Sequence, residues 1–211
     1  MPRGETKPNA VTRERAMQTQ FLSIVIGVDF GGNGSGHAFV ASGLTPGYQE
    51  LYALRSRRYV EGESDEDTGE RISDIDPKRL GEIFVAFVRE VLRVYGYVTA
   101  VYCDSAEQVL IRGLRNALAE AGLGNIRVMD ALKDVINDRI FTLSSLSAQN
   151  RFKYVESDTK SLQSAIGTAV WDPKKLTENV RLDDGTSDID SMDAFEYSFE
   201  GEIDRFIKRK R

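Results

Sequence analysis

Residues 21–36, FLSIVIGVDFGGNGSG, join a buried strand to a glycine turn through a carboxylate. Phe21 to Asp29 is a continuous apolar run rich in Ile and Val, the pattern of a strand covered on both faces. Four of the six residues in GGNGSG, 31–36, are glycines, whose access to positive φ lets the chain reverse tightly. His37 to Ser42 and Glu50 to Tyr59 read as second and third strands separated by Gly43, Pro46 and Gly47, so the chain opens as an antiparallel meander. Segment 61–76, EGESDEDTGERISDID, has no core pattern and is expected as an exposed loop ending at Pro77, a favourable first-turn residue. Leu80, Ile83, Phe84, Phe87, Val88, Val91, Leu92 and Tyr95 then recur at three- and four-residue spacing, which predicts a helix with one face on the sheet.

TAVYC, 99–103, is a fourth strand that stops at Asp104, and a helix over 106–121 ends near Gly122 and Gly124. Ile126 to Met129 is a short fifth strand. Helical stretches near 132–146 and 159–168 flank the strand-like FKYV, 152–155; residues 169–184 are expected as a hairpin containing Trp171, and the last helix begins near Asp188. Residues 1–20 lack apolar periodicity and read as a flexible leader or linker remnant, with the domain spanning 21–211. A meander followed by strands alternating with helices predicts an α/β fold, a mixed sheet flanked by helices.

At 211 residues, 41% hydrophobic and 29% charged, the chain is neither disordered nor collagen-like, and no apolar run approaches the roughly 18–20 residues that span a bilayer. The polar start MPRGETKPNAVTRER does not resemble a secretory signal, so a soluble, intracellular protein is expected. Cys103 is the only cysteine and His37 the only histidine, which excludes a disulfide framework, a cysteine-rich zinc site within one chain and a multi-histidine metal centre. Any serine–histidine triad must use His37, which begins the second strand and reads as a surface or turn residue. Carboxylates remain as the chemistry. The net charge of −5 is ill suited to a polyanion on average, but segment 61–76 holds eight of the 33 acids and one of the 28 bases, leaving 25 acids against 27 bases elsewhere. Arg55, Arg57 and Arg58, and the terminal Lys208, Arg209, Lys210 and Arg211, are the candidate phosphate contacts in that remainder, the alternative being solvated faces and a frayed tail.

Asp29 ends the first strand, Asp104 ends the fourth, and Asp190 and Asp193 lie in the first turn of the last helix within SDIDSMDAFEY. Acids at the ends of neighbouring strands meet at one sheet edge, and residues at i and i+3 share a helix face about 5–6 Å apart. Such a cluster must protonate or bind cations, and oxygen donors without His or Cys favour Mg2+ or Mn2+. Each acid also has a plainer reading. Asp190 sits where a helix dipole favours an acid, Asp104 precedes a helix it could cap, and only Asp29 lacks an evident capping duty. Glu107 and Glu196 read as helix-surface residues, Asp188 as a cap, Cys103 as a buried strand residue, and Phe195 and Tyr197 as core. Lys133, at a helix start after the fifth strand, either orients a phosphate or lies on the surface.

Together these motifs resemble the nuclease domain of tailed-phage terminase large subunits, a ribonuclease H-like family. IGVDFGGNGSGHAFV is similar to that family's first motif, YCDSAE to its second, and DGTSDIDSMDAFEY to its closing pattern, with Trp171 ahead of the turn at Asp183, Asp184 and Gly185 matching the hairpin before the last helix. The resemblance covers roughly residues 22–200 and implies a ribonuclease H-like mixed sheet, an antiparallel meander followed by parallel strands. It implies a metal-dependent endonuclease that cuts double-stranded DNA concatemers during phage genome packaging in the host cytoplasm. Asp29, Asp104 and Asp193 match the three metal-binding and catalytic acids, serving two Mg2+ or Mn2+ ions in an in-line phosphodiester hydrolysis. Many relatives carry His where this chain has Asp190, which leaves Asp190 as a further metal ligand or a positioning group. There is no G-x-x-x-x-G-K-[ST] loop, so an ATPase motor domain would be a partner, with a portal and a small terminase subunit, and the chain would be an excised or separately encoded nuclease domain.

Three alternatives stay open. GVDFGGNGSG fits the phosphate turn of actin-like and sugar-kinase domains, although no second such turn follows; another ribonuclease H-like nuclease or resolvase would place similar acids on similar strands; and a silent scaffold could keep the fold alone.

Overall fold

The computed structural model describes residues 8–31, 36–65, 68–133, 135–168 and 189–207. Seven strands, β1 (Ala10–Val11), β2 (Ser23–Asp29), β3 (His37–Leu44), β4 (Leu51–Tyr59), β5 (Ala100–Cys103), β6 (Arg127–Asp130) and β7 (Phe152–Val155), form one sheet in the order β1-β7-β4-β3-β2-β5-β6. β2, β3 and β4 are the expected meander, and β5 and β6 add parallel to β2. This is the mixed ribonuclease H-like sheet expected from the resemblance. No helix among the described residues is long and apolar enough to cross a membrane.

Strand alternation divides the core in two. Ile24, Ile26 and Val28 of β2 face one side, under α2 (Pro77–Tyr95) and α3 (Gln108–Glu120), whose Phe84, Val88, Ile111 and Leu114 are buried there. Asp76 caps α2 by accepting the Arg79 N–H at 2.7 Å, and Gly96 ends it in a left-handed conformation with φ 87°. Val25, Val40 and Ala53 face the other side, under α4 (Ile136–Ala148), α5 (Lys160–Thr168), α6 (Asp190–Phe199) and α7 (Ile203–Phe206). α6 is buried nearly all round, between the sheet and the helices over it.

The contact that seats α6 is made by a glycine. A Cβ on Gly27, in the middle of β2, would lie 1.7 Å from the Ala194 carbonyl oxygen and 3.0 Å from the Ser198 nitrogen. Helix backbone therefore rests directly on strand backbone. Ser198 also pairs its hydroxyl with that of Ser42 on β3 at 2.5 Å.

Two expectations need correction. Part of the expected leader belongs to the sheet: Ala10 and Val11 pair in parallel with Tyr154 and Val155, α1 (Arg13–Met17) buries Ala16, and Arg13 clasps Asp158 through two bonds of 2.7 and 2.5 Å. A two-residue parallel strand leaves no periodic trace, because its pairing is set by a segment far along the chain. The helix expected near 132 begins at Ile136, since residues 131–133 form the turn after β6. The Trp171 hairpin, the turn at Asp183 to Gly185 and the Asp188 cap lie outside the described residues.

Gly27→Ala should cost about 3 kcal/mol or more, the upper end for forcing atoms into a packed core, read as a lower urea midpoint by circular dichroism. Gly113→Ala, in α3 with open space around the new methyl, should instead stabilise the protein by about 0.5–1 kcal/mol and raise the midpoint.

Candidate active site

Parallel register carries the ends of three strands to one edge of the sheet. Val28 pairs with Cys103 and Cys103 with Asp130, the Asp104 N–H donates to the Val28 carbonyl at 3.0 Å, and the Ala131 N–H donates to the Cys103 carbonyl at 2.8 Å. Asp29, Asp104 and the 131–133 turn therefore stand side by side. Asp29 follows Gly27 by two residues and so shares the face on which α6 lies. Seating Ala194 on Gly27 brings Asp193, in the first turn of α6, to the same place.

The electrostatics record this convergence. Burial, and after it the charges of Asp193, Asp190 and Asp104, push the Asp29 carboxyl well above the usual carboxylate range, with Lys133 pulling the other way. The Tyr197 phenol is pushed up by burial and by Asp29, Asp193 and Asp104, so it borders the same group and stays protonated. Lys133 places its Nζ 2.5 Å from Asp104 Oδ1, from a backbone with φ 52°, in the left-handed region that a lysine rarely adopts. Asp104 Oδ1 also accepts the Ala106 N–H at 2.8 Å. Lys133 thus approaches the acids rather than lying apart from them.

Asp190, 5% exposed, does not cap its helix. Its Oδ2 accepts the Gly36 N–H and the Arg58 Nε–H, each at 2.9 Å, tying α6 to the end of the glycine turn and to β4. Burial pushes the His37 imidazole below its ordinary value against the charges of Asp190 and Glu61, and Nδ1 accepts the Gly31 N–H at 3.1 Å. His37 therefore helps close the glycine turn.

The arginine triplet divides by strand alternation. Arg57 opposes Phe39 on the α2 side, is 5% exposed and donates to the Ser56 carbonyl, so it lies in the interior away from Arg58 and the acids. Arg55 shares that side, close enough to Tyr95 to act on its phenol. Arg58 turns the other way, toward the acids. Lys208, Arg209, Lys210 and Arg211 lie outside the described residues, as do 32–35 of the glycine turn. Glu107 is exposed as expected, and Phe195, Tyr197 and Cys103 are buried.

Glu196 is a further correction, because it is fully buried with its Oε2 3.3 Å from Arg139 Nε. Arg139 and Glu200 had no signal in the sequence. Glu200, 4% exposed, accepts the N–H groups of Leu132 and Lys133 at 2.6 and 3.1 Å, and Arg139 Nη1 stands 3.8 Å from its other oxygen.

A set of oxygen donors without His or Cys, its charges adding to burial at Asp29, is of the type that suits a hard divalent cation. Among the described residues no three His, Cys, Asp or Glu side chains are drawn close enough to enclose one as they stand. Carboxylates without a shared counterion repel, and Asp104 and Asp190 are turned toward Lys133 and Arg58.

No protein-family model matches the sequence, nor does any curated protein. Solved structures do match. The large terminase of a thermophilic bacteriophage is similar over 92% of this chain and 42% of its own, with a TM-score of 0.63 and 15% identity. The nuclease domain of the bacteriophage SPP1 large terminase, solved with bound Mn, is similar over 92% of this chain and 97% of its own, with a TM-score of 0.57 and 20% identity. The fold is that of a terminase nuclease domain. The P22 large terminase nuclease domain shares it over 84% of this chain and 79% of its own, with a TM-score of 0.53 and 15% identity. This chain thus spans less than half of the thermophilic phage's large terminase and nearly all of the SPP1 nuclease domain.

A folded carboxyl raised above its unfolded value contributes stability that is complete below the unfolded value and lost as pH rises through the folded one. Metal-free protein should therefore lose stability as pH climbs above the ordinary carboxylate range toward the raised value of Asp29. Asp29→Asn should raise the urea midpoint at the upper end of that window and flatten the slope. An Asn variant no more stable than wild type there would remove the charge crowding.

Proposed function

We propose that this chain is a metal-dependent endonuclease that hydrolyses phosphodiesters of double-stranded DNA, the nuclease part of a genome-packaging terminase. The observation that carries this is the approach of Asp29, Asp104 and Asp193 from two strands and a helix, where burial first and the neighbouring acids after it raise the Asp29 carboxyl. The Mn bound to the SPP1 nuclease domain supports the same class of ion here.

Asp29, Asp104 and Asp193 would hold two Mg2+ or Mn2+ ions, which supply the charge that polarises water and phosphate oxygen. The raised Asp29 carboxyl means that ion binding would compete with protons there. Lys133 neutralises Asp104 and, turning from it, presents an ammonium to a phosphate at the sheet edge. Asp190 spends one oxygen on Gly36 and Arg58, which favours the positioning role over the ligand role: it fixes the start of α6 and so the place of Asp193. Buried Tyr197 lies near enough to the acids for their charges to act on its phenol. Lys133 and the Lys208 to Arg211 tail are the proposed DNA backbone contacts, which would make cutting sequence-tolerant and weaker at high salt. A motor domain, a portal and a small terminase subunit are the partners this reading requires.

Supercoiled plasmid with Mn2+ or Mg2+ tests it. Wild type should nick and linearise the plasmid, and Asp29→Asn, Asp104→Asn and Asp193→Asn should each lose about two orders of magnitude or more. Full activity in one variant would remove that residue from the set, and no cutting by wild type across both metals would overturn the reading.

A further inference from the structure

The turn that presents Lys133 is held from beneath by a buried carboxylate outside the acid cluster. Glu200 follows α6, and one of its oxygens accepts both the Leu132 N–H at 2.6 Å and the Lys133 N–H at 3.1 Å. A carboxylate gripping two successive amides makes strong, charge-assisted bonds, and here it does so at 4% exposure. The turn needs such a hold, because Lys133 sits at φ 52°, a conformation persisting only where the surroundings impose it. Arg139 supplies the opposing charge, with Nη1 3.8 Å from Glu200, Nε 3.3 Å from Glu196 and its guanidinium carbon 5.7 Å from the centre of the Tyr197 ring. Two buried carboxylates and one guanidinium are costly to desolvate and add little stability over apolar packing.

We infer that Glu200 is a positioning residue: it locks the 131–133 turn so that the Lys133 ammonium stands on Asp104, and Arg139 lies beside it as the opposing charge. This rests on the nuclease reading for its consequence in catalysis, but the grip itself belongs to the metal-free protein. In chemical terms, an acid on the helix side of the core sets where the Lys133 ammonium can reach a phosphate.

The test has two arms. Amide exchange by NMR in metal-free protein compares Glu200→Leu, which removes the acceptor, with Glu200→Gln, which keeps an acceptor oxygen, and with Glu200→Asp, which keeps the charge but shortens the reach. Leu132 and Lys133 should exchange about tenfold faster or more in the Leu variant, near wild type in Gln and between them in Asp, with Val101 of β5 unchanged. Should the Leu variant fail to fold, the Asp variant alone decides, and unchanged protection of the two amides in the Leu variant, or in the Asp variant in its place, would overturn the inference. The second arm is a double-mutant cycle on plasmid nicking. Glu200→Leu, or Glu200→Asp in its place, should lower kcat about tenfold in the wild-type background and less than about twofold in Lys133→Met, because both changes remove the same thing. Additive losses would show that Glu200 does not act through Lys133. If wild type does not cut, the nuclease reading fails while the exchange arm still decides the grip.

Discussion

The carbonyl oxygen of Ala194 occupies the space where a side chain on residue 27 would begin, and from that close approach the geometry of the strand ends follows. A glycine in the middle of a buried strand lowers strand stability, but here it lets α6 settle backbone to backbone on β2. Two residues along the strand is Asp29, and one residue back along the helix is Asp193. Any side chain at 27 lifts the helix and parts the two acids. The Ser42–Ser198 pair and the grip of Gly36 and Arg58 on Asp190 hold the helix at its two ends, so its position is set at three points.

Bringing like charges together in this way works against folding. Asp29 carries part of the conflict, its carboxyl held well above its ordinary range by burial first and by the neighbouring acids after it, while Lys133 on Asp104 and Arg58 on Asp190 offset another part. The two cations act differently. Arg58 is a fixed, partly buried fork whose partner lies on the helix it anchors. Lys133 is a longer, more exposed side chain on a turn with a left-handed backbone. A second buried network, Arg139 with Glu196 and Glu200, lies behind the first and supports that turn. The crowded acids at the strand ends thus work against folding, and the two apolar cores offset them.

Much of this was legible in the sequence, for identifiable reasons. The run 21–29, the spacing from Leu80 to Tyr95 and the tetrapeptide FKYV are local signals, and local signals place β2, α2 and β7. Acids closing two predicted strands are likewise local, and the parallel register that joins them follows from the fold class. What escaped depends on distant partners. β1 exists because β7 is there to pair with. Glu196 looks like a surface residue until α6 is known to be enclosed on every side, and Arg139 lies 57 residues from it in a helix with little amphipathic pattern. In the arginine triplet the period of two sets Arg57 and Arg58 on opposite faces of β4, so the two do not face a single ligand.

The claim on which the rest depends is that Asp29, Asp104 and Asp193 share divalent ions at the end of β2, β5 and α6. Anomalous diffraction from crystals soaked in Mn2+ locates such ions directly. The account predicts manganese peaks among Asp29, Asp104 and Asp193, with the Lys133 ammonium displaced from Asp104. Manganese bound elsewhere at saturating concentration, with Lys133 still on Asp104 and no peak among the three acids, would contradict it.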